Sequence, residues 1–226
     1  MKRNYISQNT VRRMPRYYNK VKELQEVGME RVSSSELGRI MGLTPSQIRQ
    51  DFSCFGEFGQ QGYGYRLDVL QKEIAEVLGI NRGFKAILVG VGNIGGALMR
   101  NLNFESYGVE LIGAFDADVD KVGLDINGTV IRHESDLLSF CAENTPDIAI
   151  LCVPKIAAQK VSDLVIRAQL KAIWNFTNTV LDVHHLDVVT EDINFGDSLL
   201  TLNYLLADKI DEVNRVAEKN LKYRIA

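Results

Sequence analysis

The chain has 226 residues, 46% apolar and 24% charged, enough to bury a sizeable core in one large domain or two small ones. No apolar run approaches the ~20 residues that span a bilayer, and the N-terminal MKRNYISQNTVRR lacks the apolar stretch of a secretory signal, so the expected setting is cytoplasmic. The net charge of −3 is uneven: the first 22 residues carry seven Lys/Arg and no acid, while residues 81–226 hold 14 Lys/Arg against 20 Asp/Glu, a basic end on an acidic body that fits contact with a polyanion.

In chain order, residues 15–27 are expected to form a helix. Pro15 suits its first position, Tyr17, Val21 and Leu24 share one face, and Gly28 follows its end. Ser33 and Glu36 form a capping box before Leu37, Ile40 and Met41, and Gly42 breaks that short helix. Thr44 and Gln47 form a second box, with Pro45 at the first helical position. Two short capped helices across a glycine-containing turn read as a helix-turn-helix.

In the second helix Ile48 and Phe52, four apart, can pack inward. Ser46, Gln47, Arg49, Gln50 and Ser53 are left for the outer side, and such side chains hydrogen-bond base edges and phosphates in a major groove. A solvated polar face is the alternative. The stretch Phe55 to Tyr65, FGEFGQQGYGY, alternates glycines with aromatics, as a β-hairpin wing beside a recognition helix would. Residues 67–78 form another amphipathic helix, and 79–83 a cap and linker. Residues 1–80 are therefore assigned to a DNA-binding domain.

Next comes KAILVGVGNIGGAL, from Lys85 to Leu98. An apolar strand feeds Gly90-Val91-Gly92-Asn93-Ile94-Gly95, a G-x-G-x-x-G turn that opens a helix, the context in which this motif holds a pyrophosphate on free helix N–H groups. A second strand, Glu110 to Phe115, ends at Asp116, about 20 residues on, where a dinucleotide fold binds the adenosine ribose. A carboxylate there repels a 2′-phosphate, so NAD(H) is favoured over NADP(H).

Strand and helix then alternate. Strands are expected at 127–133, 148–153, 172–176 and 188–194, and helices at 135–141 and 154–170. The class is α/β: a winged helix-turn-helix followed by a Rossmann-type doubly wound parallel sheet over 84–195. From about Asp197, Leu199, Leu200, Leu202, Leu205, Leu206, Ile210, Val213 and Val216 cover more than one helix face, which fits a dimerisation helix over 196–226.

A dehydrogenase would need an acid or base beside the nicotinamide. The three histidines are His133, His184 and His185, there is no Tyr-x-x-x-Lys pair, and too few residues follow the sheet for a substrate domain. Cys54, Cys141 and Cys152 lack metal or redox spacing, so no metal is expected. An enzyme is disfavoured.

Over nearly its full length the chain resembles the Rex family of redox-sensing transcriptional repressors. The resemblance is carried by SSSELGRIMGLTPSQIRQDFSCFGEFGQQGYGY, GVGNIGGAL, GAFDADVDKVG, CVPKIAAQKVSDL and NFTNTVLDV. It implies a homodimer with a swapped C-terminal helix that binds double-stranded operator DNA and is released by NADH, while NAD⁺ competes without causing release. It also implies that Arg49 contacts the operator with Ser46, Gln50 and Ser53, and that Tyr63 with Gln60 and Gln61 forms the wing. Gly90, Gly92, Asn93, Ile94 and Gly95 would hold the pyrophosphate and Asp116 the adenosine ribose. Val153, Pro154, Asn175, Phe176 and Thr177 would line the nicotinamide half, with Phe195 reaching over from the partner subunit.

Where NADH-switching members carry an Arg, a Tyr and an Asp as a polar relay, this chain has Asn19, Asn101 and Asn194. That keeps open a relative that binds NAD(H) with an altered or lost switch. Gln50, Gln60 and Gln61 also stand where basic residues are common, so a shallower salt dependence is expected.

Overall fold

The computed structural model describes residues 6–55, 63–183 and 187–225, with side chains described to residue 215. The chain divides into two compact units, residues 1–83 with 105–108, and residues 84–104 with 109–226.

The first unit is built on helix α1 (Gln8–Glu26), α2 (Ser34–Met41), α3 (Pro45–Ser53) and α4 (Leu67–Leu78). A short antiparallel ribbon joins β1 (Arg31–Val32) to β2 (Tyr65–Arg66). Met14, Tyr17 and Val21 of α1, Leu37 of α2, Ile48 and Phe52 of α3, and Leu67, Leu70 and Ile74 of α4 form one buried cluster. Phe52 is its hinge, edge-on to Tyr17 at 4.9 Å and to Tyr65 at 5.1 Å between ring centroids. The helix expected over 15–27 is longer than that. It starts at Gln8, capped by Ser7, and Pro15 lies inside it. Thr10 and Met14 are buried upstream of Pro15, and their burial outweighs the helix bond that proline forfeits at an exposed position.

The second unit is a seven-stranded sheet in the order β5 (Asp125–Ile126), β6 (Thr129–His133), β4 (Val109–Asp116), β3 (Phe84–Val89), β7 (Ile148–Leu151), β8 (Ala172–Asn175), β9 (Val189–Asp192). The central strands are β3, β4, β7 and β8. They pair in parallel with one another, as do β6 and β9 with their neighbours, while β5 runs antiparallel at one edge. Both faces are covered, so β3 is buried through Ala86–Val89 rather than alternating. Ile87 and Val89 pack with Leu137 and Cys141 of α6 (Leu137–Asn144) and with Val161 and Val165 of α7 (Lys155–Arg167). Ala86 and Leu88 face the other way, toward Met99 of α5 (Asn93–Asn101).

Three expected boundaries need correction. The strand over 127–133 is a hairpin, because Asn127 (φ 52°) and Gly128 (φ 84°) make a tight turn between β5 and β6. The helix expected over 135–141 begins as a 3₁₀ turn at Glu134–Asp136, capped by His133 rather than Ser135, and α6 follows. The helix over 154–170 is trimmed to Lys155–Arg167.

The last element, α8 (Phe195–Ile225), starts two residues before the expected Asp197. Asn194 caps it: its Oδ1 accepts the N–H of Gly196 at 2.9 Å and of Asp197 at 3.2 Å. The large apolar residues of α8 from Leu199 to Val213 are all at least half exposed.

Candidate dinucleotide cleft and nucleic-acid interface

The glycine turn forms because only glycine tolerates its geometry. Gly90 adopts φ +96°, and a Cβ there would stand 2.7 Å from the Cys152 backbone. A Cβ on Gly95 would run into the carbonyl oxygen of Gly90, so α5 can lie this close to the end of β3 only without one. Gly92 differs. Its φ is negative and a Cβ would meet nothing within 4 Å. Open space at the start of α5 is where an anion can approach free N–H groups and the positive helix end.

That space belongs to a cleft of about 720 Å³. Gly90, Gly92, Asn93, Ile94, Asp116, Val153, Pro154 and Phe176, all expected at the cofactor, line it. Ala117, Asp118, Lys121, Glu134, Cys152, Ala157 and Val161 line it too, and sequence reasoning missed them. Those from Ala117 to Glu134 follow the ends of β4 and β6, so strand order brings their segments to the cleft.

One wall is polar and the other apolar. On the polar wall, Asp116 Oδ2 accepts the N–H of Val91 at 2.7 Å and the Lys121 ammonium at 3.1 Å, and Oδ1 accepts the N–H of Asp118 at 2.8 Å. Burial alone would raise this carboxyl's pKa, but the donors from Asp118, Lys121 and Val91 together hold it below the ordinary range. Pairing with Asp116 raises Lys121. On the other wall, burial pushes the Cys152 thiol up to about 12, so it stays protonated and unreactive at neutral pH.

Four expected cofactor residues, Val91, Gly95, Asn175 and Thr177, do not line it. Asn175 is buried beneath the cleft, and its amide is fully engaged. Its Nδ2 donates to Asp192 Oδ1 and the Thr179 carbonyl, and its Oδ1 accepts the N–H and hydroxyl of Thr177. Thr177 is buried with it. Through Asp192 the Asn175 side chain ties β8 to β9. Val91 and Gly95 are likewise buried, in the turn's packing, and Phe195 is exposed at the start of α8. Asn101 donates to the Ala97 carbonyl of its own helix, and Asn19 is exposed on α1.

In the first unit, Ser33 and Thr44 cap α2 and α3 by accepting the N–H of Glu36 at 3.0 Å and of Gln47 at 3.1 Å. Gly38 permits the tight turn, since a Cβ there would lie 2.6 Å from the Leu43 carbonyl oxygen. With Ile48 and Phe52 buried, Ser46, Arg49, Gln50 and Ser53 are exposed along α3. The Arg49 guanidinium donates to Ser34 and Ser46 hydroxyls at 3.1 and 3.2 Å. Gln47 departs from expectation: its amide turns inward and donates to Asp51 at 2.9 Å. Tyr63 is 72% exposed, and its carbonyl accepts from Arg31. Gln60 and Gln61, and also His184 and His185, lie outside the described residues.

Among the described residues, no group of His, Cys, Asp and Glu is placed to hold a metal ion, and no helix is long and apolar enough to cross a membrane.

Comparison with known proteins gives a consistent account. Residues 5–53 match a family described as "Putative DNA-binding protein N-terminus", and residues 81–179 one described as "CoA binding domain". The chain is 44% identical over 218 residues to the redox-sensing transcriptional repressor Rex of Caldicellulosiruptor saccharolyticus, covering 96% of this chain and 99% of that one. It is 46% identical over 215 residues to the Rex of Caldicellulosiruptor bescii, covering 95% and 99%. A solved structure of RSP with β-NAD⁺ and operator DNA matches with a TM-score of 0.85 and 40% identity over 91% of this chain and 94% of that one. RSP with β-NADH matches with a TM-score of 0.83 and 37% identity over 91% and 96%.

Proposed function

The chain belongs to the Rex family of redox-sensing transcriptional repressors, and from that membership we propose how its two units divide the work. It acts as a cytoplasmic homodimer that binds operator DNA through α3 and the wing, and it reads the NADH/NAD⁺ balance through the cleft at the glycine turn. It is a repressor and not an enzyme. The observation that carries this reading is the presence in one chain of an exposed, capped recognition helix and a glycine-turn cleft with a buried acid at its polar wall.

The cleft residues fit NAD(H). The N–H groups of Asn93 and Ile94 at the start of α5 are placed for the pyrophosphate, and Gly92 leaves room for it. Asp116 keeps acceptor capacity on Oδ1 for a ribose hydroxyl. Val153, Pro154, Ala157 and Phe176 offer an apolar seat for a planar ring. NAD(H) supplies a nicotinamide whose charge differs by one unit between its two forms, and an apolar wall favours the neutral reduced form. The protonated Cys152 adds no charge to that wall.

On the DNA side, Ser46, Arg49, Gln50, Ser53 and Tyr63 present donors and acceptors to the groove, with Gln60 and Gln61 at the wing tip. The exposed apolar face of α8 pairs with a second copy of this chain and brings Phe195 toward the partner's cleft.

A second reading is favoured by one observation. Asn194 Oδ1 caps α8 and Asn101 Nδ2 donates back to Ala97 of its own helix, and neither asparagine carries the charge of a polar relay. In this reading NAD(H) binds without discriminating release. Titrating the operator complex separately with NADH and NAD⁺ distinguishes the two. Release by NADH alone supports redox sensing, equal or absent release supports the second reading, and no operator binding at low salt overturns both.

A further inference from the structure

Asp51 lies in the last turn of the recognition helix, yet its carboxylate is 1% exposed. Arg13 reaches it with two parallel bonds, Nε to Oδ2 and Nη2 to Oδ1, each 2.7 Å. The Tyr17 hydroxyl donates to Oδ2 at 2.7 Å, the Gln47 amide to Oδ1 at 2.9 Å, and the Thr10 hydroxyl to Oδ1 at 3.4 Å. A carboxylate offers about four acceptor positions, so these donors saturate it.

Three of the donors stand on α1, and the bidentate arginine fork fixes orientation as well as distance. Helix α3 is therefore pinned to α1 in rotation and in height. The ion pair also offsets a negative charge that would otherwise repel phosphates from the last turn of α3. Gln47, one turn before Asp51, is the residue whose type suits adenine readout, but its side chain turns inward and one amide N–H is committed to Asp51.

We propose that Asp51 and Gln47 form a specificity clamp: Gln47 reads no base, and Asp51 holds Gln47 while tying α3 to α1 through Arg13 and Tyr17, so that Ser46, Arg49, Gln50 and Ser53 alone of α3 face the operator. This rests on the DNA-binding reading above. Asp51 is a positioning residue, acting through the groups it holds.

The test begins with duplexes selected by the wild-type chain from a random library, and compares affinity for the selected and a scrambled duplex across a salt series. Gln47→Ala is expected to keep the selected-to-scrambled ratio within about twofold, because no base contact is lost. The pair Arg13→Met with Asp51→Leu replaces the clamp by apolar groups of similar bulk, an exchange buried ion pairs often tolerate. With its fold checked by circular dichroism, this variant is expected to lose about tenfold in that ratio while the salt slope, set by phosphate contacts, is unchanged. It is also expected to select a new base preference that Gln47→Ala in the same background abolishes, a result that mere destabilisation does not produce.

A tenfold loss from Gln47→Ala alone overturns the clamp, as does a folded double variant that selects the wild-type sequence at the wild-type ratio. If the double variant does not fold, Gln47→Ala decides alone. A wild-type chain that selects no sequence overturns the DNA-binding reading itself, a distinguishable failure.

Discussion

Asp116 and Val91 are 25 positions apart, and the carboxylate of one accepts the backbone N–H of the other at 2.7 Å. The acid at the end of β4 thus holds the glycine turn at the end of β3 in shape, besides facing the cleft. Replacing Asp116 with Ala should therefore cost stability as well as binding. A buried N–H of Val91 left without its acceptor costs about 1–3 kcal/mol. Thermal melting with and without NADH should show a lower midpoint and a loss of the NADH-induced rise.

Two of the three motif glycines, Gly92 and Gly95, should separate by role. Gly95→Ala forces a Cβ into the Gly90 carbonyl and must push α5 off β3, with a destabilisation of about 2 kcal/mol or more. Gly92→Ala meets open space and should leave the unliganded protein's urea midpoint unchanged. It should still weaken NAD(H) binding at least about tenfold, since the added methyl occupies the approach to the helix N-terminus. Unfolding and nucleotide titration on both variants read this contrast directly.

Acid stability should follow Asp51 and Asp116. Burial acts to raise both pKa values. For Asp51 it is outweighed by Arg13, Tyr17 and Gln47, and for Asp116 by Asp118 N–H, Lys121 and Val91 N–H, so both end below the ordinary carboxyl value. A carboxyl held lower in the folded state contributes stability that is complete above the unfolded pKa of about 3.9 and is lost as pH falls through the folded value. Urea midpoints should be flat from neutrality to about pH 5 and fall below that, and Asp116→Ala should flatten the acid limb.

Helix α8 exposes Leu202 and Leu206, which are four apart on the same face, at more than half of each side chain's area. Glutamates at both positions should leave the two compact units folded and shift the chain from dimer to monomer. Sedimentation velocity would show it, and operator affinity should fall with it because two half-sites are no longer bound together.

Much of this architecture is written in local signals. Ser33 and Thr44 cap the helices their capping boxes indicate, and the helix over 67–78 and the glycine turn stand where the pattern puts them. The Asn127-Gly128 turn was equally legible, as Asn-Gly is a strong hairpin signal, but the flanking β-type residues masked it as one strand. Pro15 misled because a residue that suits a helix start can also be tolerated inside one when tertiary burial extends the helix. The inward turn of Gln47 could not be read locally, since the Arg13 that completes its site lies 38 positions from Asp51. The same holds for Lys121, brought to Asp116 by a loop whose fold no short pattern encodes.

The guanidinium of Arg49 is anchored to the hydroxyls of Ser34 and Ser46 before any duplex arrives. A free arginine surrenders much of its rotamer freedom at the moment of docking, and that loss opposes association. Here the freedom has already gone at folding. The encounter with DNA then meets a side chain of defined aim, and the two small serines that set it shorten the conformational search that recognition would otherwise require.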